Sequence, residues 1–403
     1  MIRPRKNRVV ITGMGVLAAN GTGIDEFWST LLAGKSGIGP ITLFDASDLA
    51  CRIAGEVKGF DPADYIDPAL KPKRMGRFTQ LGVAAAREAL SDARVENGLL
   101  KQAGVIPVVM GVSTSAMDLY EAEPRMHTAV AGAPVALASA VAYMLDAPTR
   151  LTTISNGCAS SLDAIAAAAG LIQSGETDFS VAGGGESGIV PCIVTTMLKC
   201  RKCSMRNDDP QAASRPFDRL RDYGVLAEGA GVITIENLEF AKARGAPIYA
   251  EIVGYGTCTD PQKSPEGGGF AQAMELALLN GGFGVESIDF ISAHGPSDIQ
   301  MDIVETEAIK ALFKNQAYRI PITSIKGATG CPMSVGGVLQ VIAAALGLER
   351  RTIPPTANLE EPDPACDLDY VSRQSRHAAH NLAMINTHGF GRGNSSLLLQ
   401  KTD

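Results

Sequence analysis

The chain has 403 residues, of which 45% are hydrophobic, 20% charged and 5% aromatic. That composition is globular and too apolar for disorder; at roughly 150 residues per domain it allows two or three domains, or one large duplicated one. A net charge of −7 argues against a dedicated nucleic-acid or anionic-membrane binder, which is ordinarily basic, and leaves room only for a local basic patch facing an acidic partner.

The first residues, Met1-Ile2-Arg3-Pro4-Arg5-Lys6, precede an apolar run and so have the outline of a secretion signal. Gly13 and Gly15 interrupt that run and no clean cleavage site follows, so a buried first strand over 8–12 is expected instead. Further along, helical patterning over 79–93 is followed by a short apolar run at 106–111 that reads as a strand. A strand at 151–154 leads into a helix at 159–174. Strands follow at 179–182, 232–236 and 249–254, then a helix at 271–279. The remainder alternates: strand 290–293, helix 302–313, strand 320–323, helix 335–347 and strand 384–386. Such alternation predicts an α/β layered fold with buried sheets. The turn at 242–247 is the best midpoint break, dividing the chain into 1–245 and 246–403. No internal repeat is visible by eye.

Eight cysteines at irregular spacing are too few for a disulfide scaffold. They suggest reduced thiols and a cytoplasmic setting. No apolar run reaches 18 residues, so no membrane span is expected. Cys200 and Cys203 have zinc-knuckle spacing, but no second pair follows, and no metal site is expected. Gly183-Gly184-Gly185 lacks the lysine and spacing of a phosphate loop and reads as tight packing.

Chemistry is more plausible in Ser155-Asn156-Gly157-Cys158-Ala159-Ser160. A strand ends, a glycine turns the chain and a helix begins beside Cys158, where unpaired N–H groups and the helix dipole would lower a thiol pKa. Such an elbow exposes a nucleophile, although a buried structural cysteine would fit the same local pattern. His294 follows an apolar run and precedes Gly295-Pro296-Ser297-Asp298, a place suited to a proton carrier or donor, or to a hydrogen-bonded loop histidine. His388 lies in another strand-end turn. The remaining histidines, His127, His377 and His380, sit in polar stretches and read as surface residues.

Taken with these, a series of ordered motifs runs nearly the whole chain. It comprises Val9-Val10-Ile11-Thr12-Gly13-Met14-Gly15, Gly157-Cys158-Ala159-Ser160, Ala182-Gly183-Gly184 with Glu186, Ser214-Arg215-Pro216-Phe217-Asp218, Arg221-Asp222 and Glu228-Gly229-Ala230-Gly231. It continues with Ala293-His294-Gly295, Lys326, Thr329-Gly330, and Gly389-Phe390-Gly391 with Asn394. In these the chain resembles the decarboxylating, thiolase-like β-ketoacyl-(acyl-carrier-protein) synthases of type II systems. The resemblance implies a duplicated five-layer αβαβα fold, with the nucleophile in the first half and the His and Lys residues in the second. It also implies a homodimer, or a heterodimer with a related ketosynthase subunit. No cofactor beyond substrates carried on the phosphopantetheine of acyl carrier protein or coenzyme A is implied. By resemblance Cys158 takes the acyl group, His294 donates to a malonyl thioester carbonyl, Lys326 supports the site, the N–H groups of Cys158 and Phe390 form the oxyanion hole, and Phe390 gates it.

The departures from the family pattern cluster on the malonyl side. Cys331 stands where the pattern has a second histidine, Gln340 where it has a glutamate, and Pro296 and Asp298 where it has pantetheine-binding threonines. His388 replaces a phenylalanine and is the candidate substitute donor. Arg392, also a departure, would bind a carboxylate or phosphate or pair with Asp298. A neutral Cys331 would be a poor donor, so decarboxylation should be slow unless another group serves. The implied activity is condensing acyl transfer in fatty-acid or polyketide biosynthesis. The alternatives are an acyltransferase that does not decarboxylate and a non-catalytic partner subunit of the chain-length-factor kind. Lys71, Lys73, Arg74, Arg77, Arg201 and Lys202 are candidates for a basic carrier-docking patch, or simply a solvated face.

Overall fold

The computed structural model describes residues 7–95, 98, 100, 104–121 and 128–402; His127 lies outside them. The first half contributes strands β1 (Val9–Ala18), β2 (Ile106–Gly111), β3 (Thr149–Ile154), β4 (Phe179–Glu186) and β5 (Gly229–Asn237). Its principal helices are α1 (Arg77–Asp92) and α2 (Ser160–Gln173). The second half contributes β6 (Ala250–Thr259), β7 (Phe290–Ser292), β8 (Ile322–Thr323), β9 (Leu382–His388) and β10 (Gly393–Gln400), with α3 (Phe270–Gly281), α4 (Met301–Phe313) and α5 (Gly336–Arg350).

The duplication, invisible by eye in the sequence, is plain in the topology. Each half orders its five strands third, second, fourth, fifth, first: β3-β2-β4-β5-β1 and β8-β7-β9-β10-β6. In each, the second strand runs parallel to the third and fourth, and the fifth runs antiparallel to both its neighbours. The halves join where Val10 and Ile11 of β1 pair with Glu251 and Ala250 of β6. Helices α2 and α5 lie against each other between the sheets, and α1 and α3 cover the outer faces, giving the αβαβα layering. The Ser161 hydroxyl of α2 accepts the Val338 N–H of α5 at 3.0 Å. Around that contact Leu162, Ile165, Leu339, Ile342 and Leu346 form the central core, all fully buried. Including the turn before it, Met333–Arg350 is long and apolar enough to cross a membrane, yet 89% of it is buried inside the fold.

Steric reasons account for most differences from the expected elements. β1 runs through its glycines because they face a helix backbone. A Cβ on Gly13 would lie 2.2 Å from the Ala89 carbonyl oxygen, and one on Gly15 would lie 2.0 Å from that of Ala85. The second half repeats the device: Gly254 and Gly256 of β6 leave 2.5 and 2.3 Å to the carbonyl oxygens of Ala277 and Ala273 on α3. Glycine here marks close strand-to-helix packing rather than a strand end. Strand β10 has no counterpart among the expected elements because its first half, Asn394-Ser395-Ser396, is polar though buried. Its hydroxyls are satisfied inside, Ser395 donating to Asp163 at 2.6 Å and Ser396 to Asn386 at 2.7 Å. Gly183-Gly184-Gly185 lies within β4 as packing. His377 is exposed, but His380 is buried, edge-on to Phe290 with ring centroids 5.4 Å apart, and is no surface residue.

Candidate active site

Cys158 sits between the end of β3 and the start of α2. The Ser160 hydroxyl accepts the Asn156 N–H at 2.8 Å and donates to the Gly157 carbonyl at 2.6 Å, closing the elbow. Gly157 has φ 53°, and a Cβ there would lie 2.8 Å from the Phe390 nitrogen. Glycine is required both by the left-handed backbone and by the Gly389-Phe390 loop pressed against it. That contact brings the Cys158 and Phe390 backbones from the two halves together.

His294 follows β7. Its N–H and that of Gly295 donate to the buried Glu305 carboxylate on α4, at 2.9 and 2.8 Å. Lys326, following β8, is buried behind the imidazole. Its ammonium donates to the His294 carbonyl and, at 3.4 Å, to Gln340 Oε1. The His388 N–H donates to His294 Nδ1 at 3.3 Å, and Lys326 Nζ lies 3.4 Å from the same nitrogen. With Nδ1 accepting, the ring proton belongs on Nε2. Burial, reinforced by the Lys326 charge, pushes His294 well below the ordinary histidine value, so the ring is neutral at pH 7 and its Nε2–H is a donor. Burial likewise pushes Lys326 downward.

Against the expected depressed Cys158 pKa, the neighbouring Cys331 sulfur and burial push the Cys158 thiol well above its ordinary value. Cys331, beside that thiol and with Lys326 nearby, is pulled down to about 6. The two thiols titrate as a coupled pair, and the Lys326 charge favours a thiolate at Cys331. Its position is fixed by backbone bonding: the Cys331 N–H donates to the Val225 carbonyl at 2.7 Å, and its carbonyl accepts the Ala227 N–H at 3.1 Å.

His388 ends β9. Its Nδ1 lies 3.0 Å from Asn394 Oδ1, and Asn394 Nδ2 donates to Asp260 at 2.7 Å, which fixes the amide so that Nδ1 is the donor. Nε2 then faces Glu266 at 3.5 Å. Lys202 pairs with Asp298 at 2.9 Å and with Glu266 at 3.5 Å.

Cys158, His294, Pro296, Asp298, Cys331, His388 and Phe390 all line one cleft, together with Lys202, Glu266 and the methionines 197, 301 and 333. Lys326 is behind this wall. Arg392 is not among the lining residues. Its guanidinium lies 3.5 Å from Asp260 and donates to the Ser264 carbonyl at 2.8 Å, so the expected pairing with Asp298 is replaced by Asp260, while Asp298 takes Lys202. Among the docking candidates, Arg77 is committed to a buried ion pair with Glu228 at 2.6 Å and Lys202 lines the cleft, whereas Lys71, Lys73, Arg74 and Arg201 are exposed. No metal-holding cluster occurs among the described residues.

Two carboxylates escaped sequence reasoning. Glu305 left a signal: it shares the buried stripe of α4 with Met301, Asp302, Ile309 and Phe313, and an acid on such a stripe needs donors. Glu266, in a glycine-rich loop, left none.

Residues 6–241 match the family model for the β-ketoacyl synthase N-terminal domain, and residues 249–360 match that for its C-terminal domain. The chain is 38% identical over 416 residues to 3-oxoacyl-(acyl-carrier-protein) synthase 2 of Synechocystis sp., covering 100% of both chains. The ishigamide ketosynthase/chain length factor superposes with a TM-score of 0.90 at 32% identity, over 98% of this chain and 100% of the other. A type II polyketide synthase acyl-carrier protein in complex with its ketosynthase bound to the hexaketide gives a TM-score of 0.88 at 29% identity, over 98% and 100%.

Proposed function

The chain belongs to the β-ketoacyl synthase family, and from that premise we propose that it loads an acyl group on Cys158 and condenses it with a malonyl thioester in fatty-acid or polyketide biosynthesis. One observation carries this reading: Cys158 from the first half and His294 from the second line the same cleft.

In the loading step the Cys158 thiol passes its proton to Cys331 as its sulfur attacks the thioester carbonyl. The N–H groups of Cys158 and Phe390 receive the oxyanion, and the carrier thiol leaves with a proton. The malonyl thioester then places its carbonyl against the His294 Nε2–H. Carbon dioxide departs, the enolate is held by that donor, and its carbon attacks the Cys158 thioester. The new carbon–carbon bond lengthens the chain by two carbons and frees the Cys158 sulfur. Lys326 keeps His294 neutral and oriented. His388 is a second imidazole at this wall, its ring centroid 6.1 Å from that of His294.

The partner is an acyl carrier protein, which the exposed Lys71, Lys73, Arg74 and Arg201 suit by charge. The assembly is a dimer, with itself or with a related ketosynthase subunit, and the setting is cytoplasmic. A non-catalytic chain-length-factor role is disfavoured by the cysteine in the cleft. Transfer without decarboxylation is the alternative that the missing second histidine favours. Loading with a labelled acyl thioester, followed by malonyl carrier protein, tests the proposal. Released carbon dioxide and a lengthened product support condensation; a stable acyl-enzyme with neither leaves the acyltransferase.

A further inference from the structure

Glu266 reaches into the cleft, and its two oxygens meet two nitrogens of different elements: Oε1 lies 3.5 Å from His388 Nε2, and Oε2 lies 3.5 Å from Lys202 Nζ. Both distances are longer than a well-made charged hydrogen bond. His388 Nε2 is buried and makes no hydrogen bond of good geometry, while Nδ1 is held by Asn394, so the free nitrogen is aimed into the cleft. With Nδ1 donating to Asn394, Nε2 can hold a carboxylate only when it too carries a proton, so the ligand it awaits is an anion that binds His388 as the imidazolium.

We propose that Lys202 and His388 form a subsite for the carboxylate of a carboxylated thioester substrate, and that Glu266 occupies it in the free enzyme. The inference rests on the condensing-enzyme reading and names how its second substrate is recognised. Three features make Glu266 the removable member. First, Lys202 is anchored without it: Asp298 holds the ammonium at 2.9 Å, and the other Asp298 oxygen accepts the Gln300 and Met301 N–H groups, both at 3.0 Å. Second, His388 is oriented from behind by Asn394 and Asp260. Third, the Glu266 side chain is 40% exposed and precedes Gly267-Gly268-Gly269, while the loop base stays fixed by Asp260, which accepts the Gly267 and Gly269 N–H groups, and by Arg392.

Charge favours the exchange. One carboxylate leaves and one arrives, so the balance among Lys202, Asp298, Asp260, His388 and the Cys158–Cys331 pair is unchanged. The His388 ring at 3.5 Å, with the Lys202 charge adding, holds Glu266 down to about 2, in line with a spot that takes a carboxylate rather than its neutral acid. An acyl donor without a carboxylate has no use for the subsite. Arg392, outside the cleft, becomes a positioning residue for the Glu266 loop.

The test is calorimetric. The probes are malonyl-pantetheine with an amide in place of the thioester, and its acetyl counterpart lacking the carboxylate. Wild-type protein should bind the malonyl probe about tenfold more tightly. Lys202→Met should abolish most of that preference, and Glu266→Gln should tighten malonyl binding several-fold while leaving acetyl binding unaltered. Glu266 is partly exposed on a loop, so its variant tests the idea even if Lys202→Met does not fold. Equal wild-type affinity for the two probes, or a preference unmoved by either substitution, would overturn the subsite. Acyl loading of the same wild-type preparation reports on the condensing reading separately: loading without a malonyl preference sinks the subsite alone, whereas no loading sinks the reading.

Discussion

Cys331 is coupled to Cys158 at the cleft wall, in the position where the resemblance puts a histidine. A thiolate there can serve as a base for loading but offers no N–H to an enolate. Loading should therefore accelerate as pH rises through about 6, the region where Cys331 ionises. In Cys331→Ser that inflection should vanish and loading should slow by about 10²-fold, measured as single-turnover acylation. Restoring a second imidazole by Cys331→His should raise malonyl decarboxylation by roughly 10²-fold, followed as labelled carbon dioxide; an unchanged rate would remove this position from the malonyl step. His388→Phe tests the second imidazole, which donates from Nε2 only as the imidazolium because Nδ1 is taken by Asn394: decarboxylation should fall by about 10²-fold, and unchanged turnover would reduce His388 to packing. At this scale the sequence was only partly legible. The nucleophile, the second-half histidine and the lysine are recognisable from short motifs. The coupling between two thiols 173 positions apart, and the Glu266 contact with His388, arise only when loops from different strands converge.

The elements carry the site by where they end. Cys158 follows β3 and Lys326 follows β8, the third strand of each half, while His294 follows β7 and His388 ends β9; the chemistry gathers at the carboxyl ends of the strands. Gly157 is the tightest joint. Gly157→Ala would place a Cβ 2.8 Å from the Phe390 nitrogen at φ 53°. It should cost about 2 kcal/mol of stability, seen by denaturant titration, and abolish loading even in protein that remains folded. Most helices and strands were legible because apolar periodicity survives in them. β10 was not, because buried serines satisfied by Asp163 and Asn386 imitate a loop.

At the level of the whole molecule, two topologically equivalent halves bury their central helices against each other and leave one cleft open to both. Alternation of strands and helices announced the α/β class, but the repeat was hidden, since its clearest trace is a pair of glycines in each first strand facing helix carbonyls. Burial of neutral His294 ties stability to pH. The unfolded chain takes up a proton near pH 6.5 that the folded chain refuses, so stability from this group is lost as pH falls below that value, by up to about 1.4 kcal/mol per pH unit. The melting temperature of wild type should fall more steeply on acidification than that of His294→Gln.

The most direct measurement incubates the protein with an acyl thioester and maps the adduct by intact mass and peptide sequencing. A single acyl group on Cys158, absent from Cys158→Ala, is the result expected. No adduct with any acyl donor, or an adduct that persists at full level when the Cys158 sulfur is gone, would contradict the assignment of that sulfur as the acyl carrier.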